Sequence, residues 1–198
     1  TRAAWRGPRS LLVTHDSTAE EWTVAARPTP GLVGGGAGRN RIKWALDGSW
    51  FATGDGDGVI EQRTPEGGLL HRLRPFDRVV KGLSIDPAGG HVVALGIGED
   101  PLRRFRLPAW ERAAERVTAM AGKDVVALPD GEVLIAHLGG LQVLTPDGLD
   151  AKLLETPATL VTSPEGHPVL VGGPHGLSLF ERGALHPLRT EPVGAIAV

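Results

Sequence analysis

Residues 41–73 read RIKWALDGSWFATGDGDGVIEQRTPEGGLLHRL, and this stretch decides the fold. Four runs suited to strands, Ile42–Leu46, Trp50–Thr53, Val59–Arg63 and Leu69–Leu73, alternate with three breaks. The breaks are Asp47-Gly48, Gly54-Asp55-Gly56-Asp57-Gly58 and Thr64-Pro65-Glu66-Gly67. Pro presets φ at one turn corner and Gly supplies the positive φ at another, so each break reads as a tight antiparallel turn. The pattern is not unique to this stretch. Arg2-Ala3-Ala4-Trp5, Ser10 and Asp16 stand 39 residues before Arg41-Ile42-Lys43-Trp44, Ser49 and Asp55. A strand-built pattern returning about every 40 residues is the signature of a repeat architecture.

Outward from this unit the pattern recurs along the chain. The first unit has Ala3–Trp5, Leu11–Thr14 and Glu20–Val24, with a hairpin turn over His15–Thr18. The third has Gly82–Ile85, His91–Leu95 and Leu102–Leu107; its outer segment, Glu111–Arg116, reads as well for one helical turn as for a strand. The fourth has Val125–Leu128, Val133–His137, Leu141–Leu144 and Ala151–Leu154, and the fifth Ala158–Thr162, Pro168–Val171, Leu177–Phe180 and Ala184–Leu188. One such unit cannot bury a sheet face alone, so neighbours must stack face to face around an axis. The expectation is an all-β fold, a β-propeller of four-stranded antiparallel blades, forming one domain over 1–198. Its blades fall at about 1–40, 41–78, 79–120, 121–156 and 157–191, and 192–198 read as the first strand of another. That strand either closes the ring on the first blade or belongs to a longer propeller. Arg2–Trp5 already supplies the first inner strand, and an open ring would expose strand edges. A longer parent propeller, or a partner that completes the ring, is therefore expected.

Composition narrows the function classes. The chain has 198 residues, 41% of them hydrophobic, enough for a core and unlike a disordered segment. A net charge of −2 with scattered Lys and Arg argues against nucleic acid, whose phosphates require clustered cations. The densest basic stretch is His71–Arg78. With no cysteine, disulfides, thiolate metal sites and cysteine nucleophiles are excluded. No apolar stretch approaches the roughly 18 residues of a membrane span, and the start lacks a signal-peptide pattern. A cytoplasmic location is the expectation. The chain opens on Thr1 rather than Met, which suggests an excised or processed segment, and its Ala and Arg usage suggests a bacterial source.

These residues support a family resemblance. Asp16-Ser17-Thr18-Ala19-Glu20-Glu21-Trp22 resembles the Asp-Gly-Thr-x-x-x-Trp segment of WD40 repeats, in which the tryptophan ends the third strand. Ile85–Gly89, Leu128–Gly131 and Thr162–Gly166 resemble the Phe-Ser-Pro-Asp-Gly turn between the first two strands of such blades. No Trp-Asp dipeptide occurs, and Phe105, Leu144 and Phe180 take the tryptophan's place in later units. The chain thus looks like a degenerate WD40-like propeller, and the family's hydrogen-bond network around His, Ser/Thr, Asp and Trp is not carried over.

Several groups invite a chemical reading. Asp55 and Asp57, with Glu61 beyond, could offer oxygens to calcium, but EF-hand spacing is not met and a hairpin turn explains the same residues. Gly34-Gly35-Gly36-Ala37-Gly38 lacks the Lys-Ser/Thr ending of a phosphate-binding loop and reads as a connection between blades. His15, His71, His91, His137, His167, His175 and His186 are dispersed without ligand spacing, although His15, His137 and His175 fall near second-to-third-strand turns, on one face. Ser10 and Ser49 hold equivalent turn positions, Ser163 opens a turn and Ser178 lies in an apolar strand, with no nucleophile elbow around any of them. Trp44, Trp50 and Phe51, with Trp5 repeating Trp44, suit core packing between blades better than partner anchoring. No catalytic, cofactor-binding or metal-ligating residue is assigned, and no cofactor is expected. The functional expectation is a non-catalytic protein–protein interaction scaffold, a module of a larger multidomain protein or complex. Its partner would be a protein or another domain of the same polypeptide, with no nucleic acid and no membrane. The alternative is a ligand-binding or enzymatic propeller of lyase, lactonase or lectin type.

Overall fold

A computed structural model of the chain describes residues 2–7, 10–15, 18–23, 39–97, 100–113, 122–137, 139–145, 151–154, 158, 160–162, 169–181 and 184–189. All regular elements among them are strands. The first sheet has three, in order β1 (Arg2–Gly7), β2 (Ser10–His15) and β3 (Thr18–Thr23). The second is β4 (Arg39–Trp44), β5 (Phe51–Asp55), β6 (Ile60–Arg63) and β7 (Leu69–Leu73). The third is β8 (Gly82–Ile85), β9 (His91–Leu95), β10 (Leu102–Arg106) and β11 (Glu111–Arg112). The fourth is β12 (Asp124–Ala127), β13 (Val133–His137), β14 (Gly140–Leu144) and β15 (Ala151–Leu154). The fifth is β16 (Leu160–Thr162), β17 (Val169–Gly173), β18 (Gly176–Glu181) and β19 (Ala184–Arg189). Every pairing is antiparallel between strands consecutive in sequence, and β1, β4, β8, β12 and β16 lie successively side by side.

One device makes the turn from first to second strand in the middle three sheets. An Asp carboxylate accepts the N–H two residues on: Ser49 to Asp47 at 3.0 Å, Ala88 to Asp86 at 3.0 Å, Glu132 to Asp130 at 3.0 Å. A glycine in the left-handed region follows, with φ of 70° at Gly48, 73° at Gly89 and 85° at Gly131. The turn also displaces Leu46 from the strand expected there. The Gly48 N–H bonds the Ala45 carbonyl at 2.9 Å, so the chain reverses over Ala45–Gly48 and Leu46 becomes a 57% exposed corner.

Among the described residues, stacked sheets bury their apolar side chains in three shared layers. Ala52 and Ile60 of the second sheet meet Leu83, Val92 and Phe105 of the third. Val93 and Leu95 meet Val125, Ile135 and Leu144 of the fourth. Leu134, Leu141 and Val143 meet Val169, Val171 and Phe180 of the fifth. Interior sheets are thus covered on both faces, and β13 is buried at all five positions. A strand buried on both faces loses the polar alternation of a half-exposed one.

The outer end of the third sheet departs from the repeat. Its last strand covers Glu111–Arg112, so the start of the segment read as helix or strand is a strand, and the remainder from 114 lies outside the described residues. Residues 114–121 lie outside the described residues, as do the Gly34–Gly38 run and the expected strand at 192–198. Just before β11, Trp110 takes φ 56°, unusual for a bulky residue. Its Nε1–H donates to Gln62 Oε1 at 3.0 Å and its ring stacks on His71 at 5.2 Å. This tryptophan fastens the outer part of the third sheet to the second.

Candidate interaction surface

Antiparallel strands bring the Ala45–Trp50, Asp86–His91 and Leu128–Val133 turns to one end of the stack, together with the links 64–68 and 107–110. Turns 55–59, 96–101, 137–140 and 173–176 lie at the opposite end. Most candidates from the sequence lie elsewhere than in a common site. The Asp55 carboxylate accepts the N–H groups of Asp57 (2.9 Å) and Val59 (2.8 Å), which is a turn-forming role. Gly58, at φ 79°, sits where a Cβ would lie 2.1 Å from the Phe76 carbonyl, so the glycine permits the turn to press against the link to the third sheet. Glu61 is held by Arg63 through contacts of 2.8 and 3.0 Å. Among the described residues no three His, Cys, Asp or Glu side chains gather in a way that could hold a metal ion.

The histidines are likewise separate. His71 stacks on Trp110, His175 is exposed in the β17–β18 turn, and His186 is exposed on β19. His91 Nδ1 lies 3.5 Å from Asp86. His137 ends β13, 3% exposed; its Nδ1 accepts the Gly139 N–H at 3.1 Å, which leaves the hydrogen on Nε2, a buried donor with no partner among the described residues. Burial lowers its pKa below the usual imidazole value. His15 lies in β2, and His167 lies outside the described residues. Ser49 donates its hydroxyl to Asp47 at 2.7 Å and belongs to the turn; with the amide bond it holds the Asp47 carboxyl below its usual range. Ser10 is in β2, Ser178 is half-buried in β18 and Ser163 lies outside the described residues.

The aromatic residues divide. Phe51 is fully buried, with Trp44 against it at 4.7 Å between ring centroids, while Trp50 packs on the layer between second and third sheets. Trp44 also lines a small cleft where the ends of β4, β8 and β12 converge. Its lining includes Lys43, Trp44, Leu46, Asp86 and Pro87, with Val126 and Ala127 of β12, and its volume is about 60 Å³. That is well below the roughly 300 Å³ at which ligand pockets begin. The cleft is sized for one side-chain tip.

At the same end of the second sheet the register lines up one residue from each strand, three of them apolar and one a cation. Trp44 pairs with Phe51, Phe51 with Arg63 and Arg63 with Leu69. Exposed Leu46 stands in the turn just beyond β4, and Leu70 follows Leu69 along the edge strand β7, with Leu70 and Leu69 54% and 52% exposed. At a strand spacing of roughly 4.8 Å, Leu69 stands about 14 Å from Trp44. Sequence reading missed this grouping because Leu46 and Leu69 are 23 positions apart, and only the register joins them. The one usable signal was Leu69-Leu70, an apolar pair directly after a Gly-Gly turn.

Comparison with known proteins places the fold. No family model matches the chain, and no curated protein matches it. Among solved structures, the C-terminal WD40 domain of Sif2 superposes with a TM-score of 0.70 at 12% sequence identity, over 98% of this chain. The chain spans 62% of that structure's length. The fold is a WD40-like β-propeller, as its turns and third-strand residues led one to expect. Among the described residues, no helix is long and apolar enough to cross a membrane.

Proposed function

We propose that this propeller is a non-catalytic protein–protein interaction scaffold that docks its partner on the end bearing the Ala45–Trp50 and Asp86–His91 turns. The observation carrying the reading is the clustering of exposed apolar side chains. Of the five exposed large hydrophobics among the described residues, Leu46, Leu69 and Leu70 lie at this end of one sheet. Aliphatic groups held on a rigid sheet beside a side-chain-sized cleft supply the anchor and pocket of an interface hot spot at small entropic cost. The WD40-like fold adds only an analogy, since folds host many functions. The partner is a protein or another domain of the same polypeptide. The module belongs to a larger multidomain protein or complex, with a bacterial source and a cytoplasmic setting completing the proposal.

The test is differential. Partners captured by the wild-type protein are compared on Leu46→Asp/Leu70→Asp and on Ile97→Asp, which alters an exposed residue at the opposite end. We expect the double variant to bind at least about 30-fold more weakly, the scale of losing a hot spot. Ile97→Asp should bind as wild type does. Loss with Ile97→Asp and retention with the double variant would place the interface at the other end and end this reading.

A further inference from the structure

Resting on this docking face, we infer that the cleft between β4, β8 and β12 is a carboxylate seat, which takes an Asp or Glu side chain from an extended segment of the partner. Lys43 is the recognising group. It is half-buried in the cleft wall, and among the described residues no carboxylate forms an ion pair with it. A partly desolvated ammonium beside the apolar Trp44, Ile85 and Pro87 gains from a counter-charge more than an exposed one does. Arg41 lies two positions earlier, on the same side of β4, and its guanidinium donates to the Lys123 carbonyl at 3.4 Å. That side of β4 therefore carries two cations.

Among the described residues the only carboxylate lining the cleft is Asp86, and it is occupied by its own turn. One oxygen accepts the Ala88 N–H at 3.0 Å and the other lies 3.5 Å from His91 Nδ1. Lys43 thus remains the available charge. The volume, about 60 Å³, is small and suits a single carboxylate better than a bulkier anion such as a nucleotide. Spacing fixes a second requirement. An extended chain advances about 3.3 Å per residue, so roughly four residues separate the seat from Leu69 and Leu70. The recognised segment has an acidic residue seated at Lys43, an apolar neighbour against Leu46, and a second apolar residue about four positions away.

A displayed library of random 12-residue peptides, selected on the wild-type protein, tests this. Expected are peptides with Asp or Glu followed by Leu, Ile or Phe at the stated spacing. Their fluorescence-polarisation affinity should fall at least tenfold with Lys43→Met. It should hold or rise with Asp86→Asn, whose amide oxygen can still accept the Ala88 N–H. Binding should also weaken between about 50 and about 300 mM salt, as a partly exposed ion pair requires. Thermal melts of both variants guard against misfolding. Peptides that lack an acid, or that ignore Lys43→Met while losing affinity with Leu46→Asp, overturn the carboxylate seat and leave the docking face standing. Peptides indifferent to Leu46→Asp, or no enrichment at all, overturn both.

Discussion

Arg63 holds the third-strand register position that Trp22, Phe105, Leu144 and Phe180 hold in the other sheets, opposite Phe51 as they are opposite Leu11, Val92, Val133 and Val169. A cation there requires compensation. Glu61 Oε2 accepts from Arg63 Nε and Nη2, and the Gly67 carbonyl accepts from Nη1 at 2.6 Å, with the two side chains only 15% and 10% exposed. Removing one partner of a largely buried pair leaves the other uncompensated, so Glu61→Gln should cost about 3 kcal/mol in urea unfolding. A cost below about 1 kcal/mol would show the pair to be solvent-screened. His137 makes the second residue-scale prediction. Its folded pKa lies below the unfolded value of 6.5, so the unfolded chain takes up the proton first. Its stabilising contribution is intact above that pH and is lost as pH falls through the lowered folded value. His137→Gln should therefore flatten the fall in stability between pH 7.5 and 5; an unchanged slope would remove His137 from the acid response. Neither role was legible in sequence, where Arg63 ended a strand and His137 was one of seven dispersed histidines.

At the scale of elements, most was legible. Asp47-Gly48, Asp86–Gly89 and Pro129–Gly131 were readable as turns because an Asp, a positive-φ glycine and, in the last two, a Pro corner are local requirements. Strand ends were less so. Leu46 was placed in a strand by its apolarity, yet the Ala45–Gly48 hydrogen bond puts it on a turn corner. Hydrophobicity cannot distinguish the last buried residue of a strand from an exposed anchor one step beyond. Trp110 shows the converse: nothing local marks it out, and only the distant Gln62 and His71 make it a fastener between sheets.

The whole molecule is a series of sheets coupled through nearest neighbours, as in other repeat proteins. This predicts separable losses. Leu134 faces the layer shared with the fifth sheet, and Ile135 the layer shared with the third. Replacing either fully buried residue by Ala should cost about 2–5 kcal/mol. By amide hydrogen exchange, Leu134→Ala should deprotect Val169–Gly173 far more than Ile135→Ala does, and Ile135→Ala should act on His91–Leu95. Equal deprotection of both strands by both variants would show the stack to open as one unit.

The amino-acid sequence determined the strands, their order and the antiparallel turns, because backbone geometry and turn chemistry are set within a few residues. Tertiary structure alone decided which neighbour each side chain of β13 meets, because a strand buried on both faces has no polar alternation to read. It also decided which surface residues come together: Lys43 and Asp86 share a cleft, and Leu46 and Leu69 lie at one end of a sheet, only through stacking and register. Those relations arise from contacts between distant segments, which no local pattern encodes.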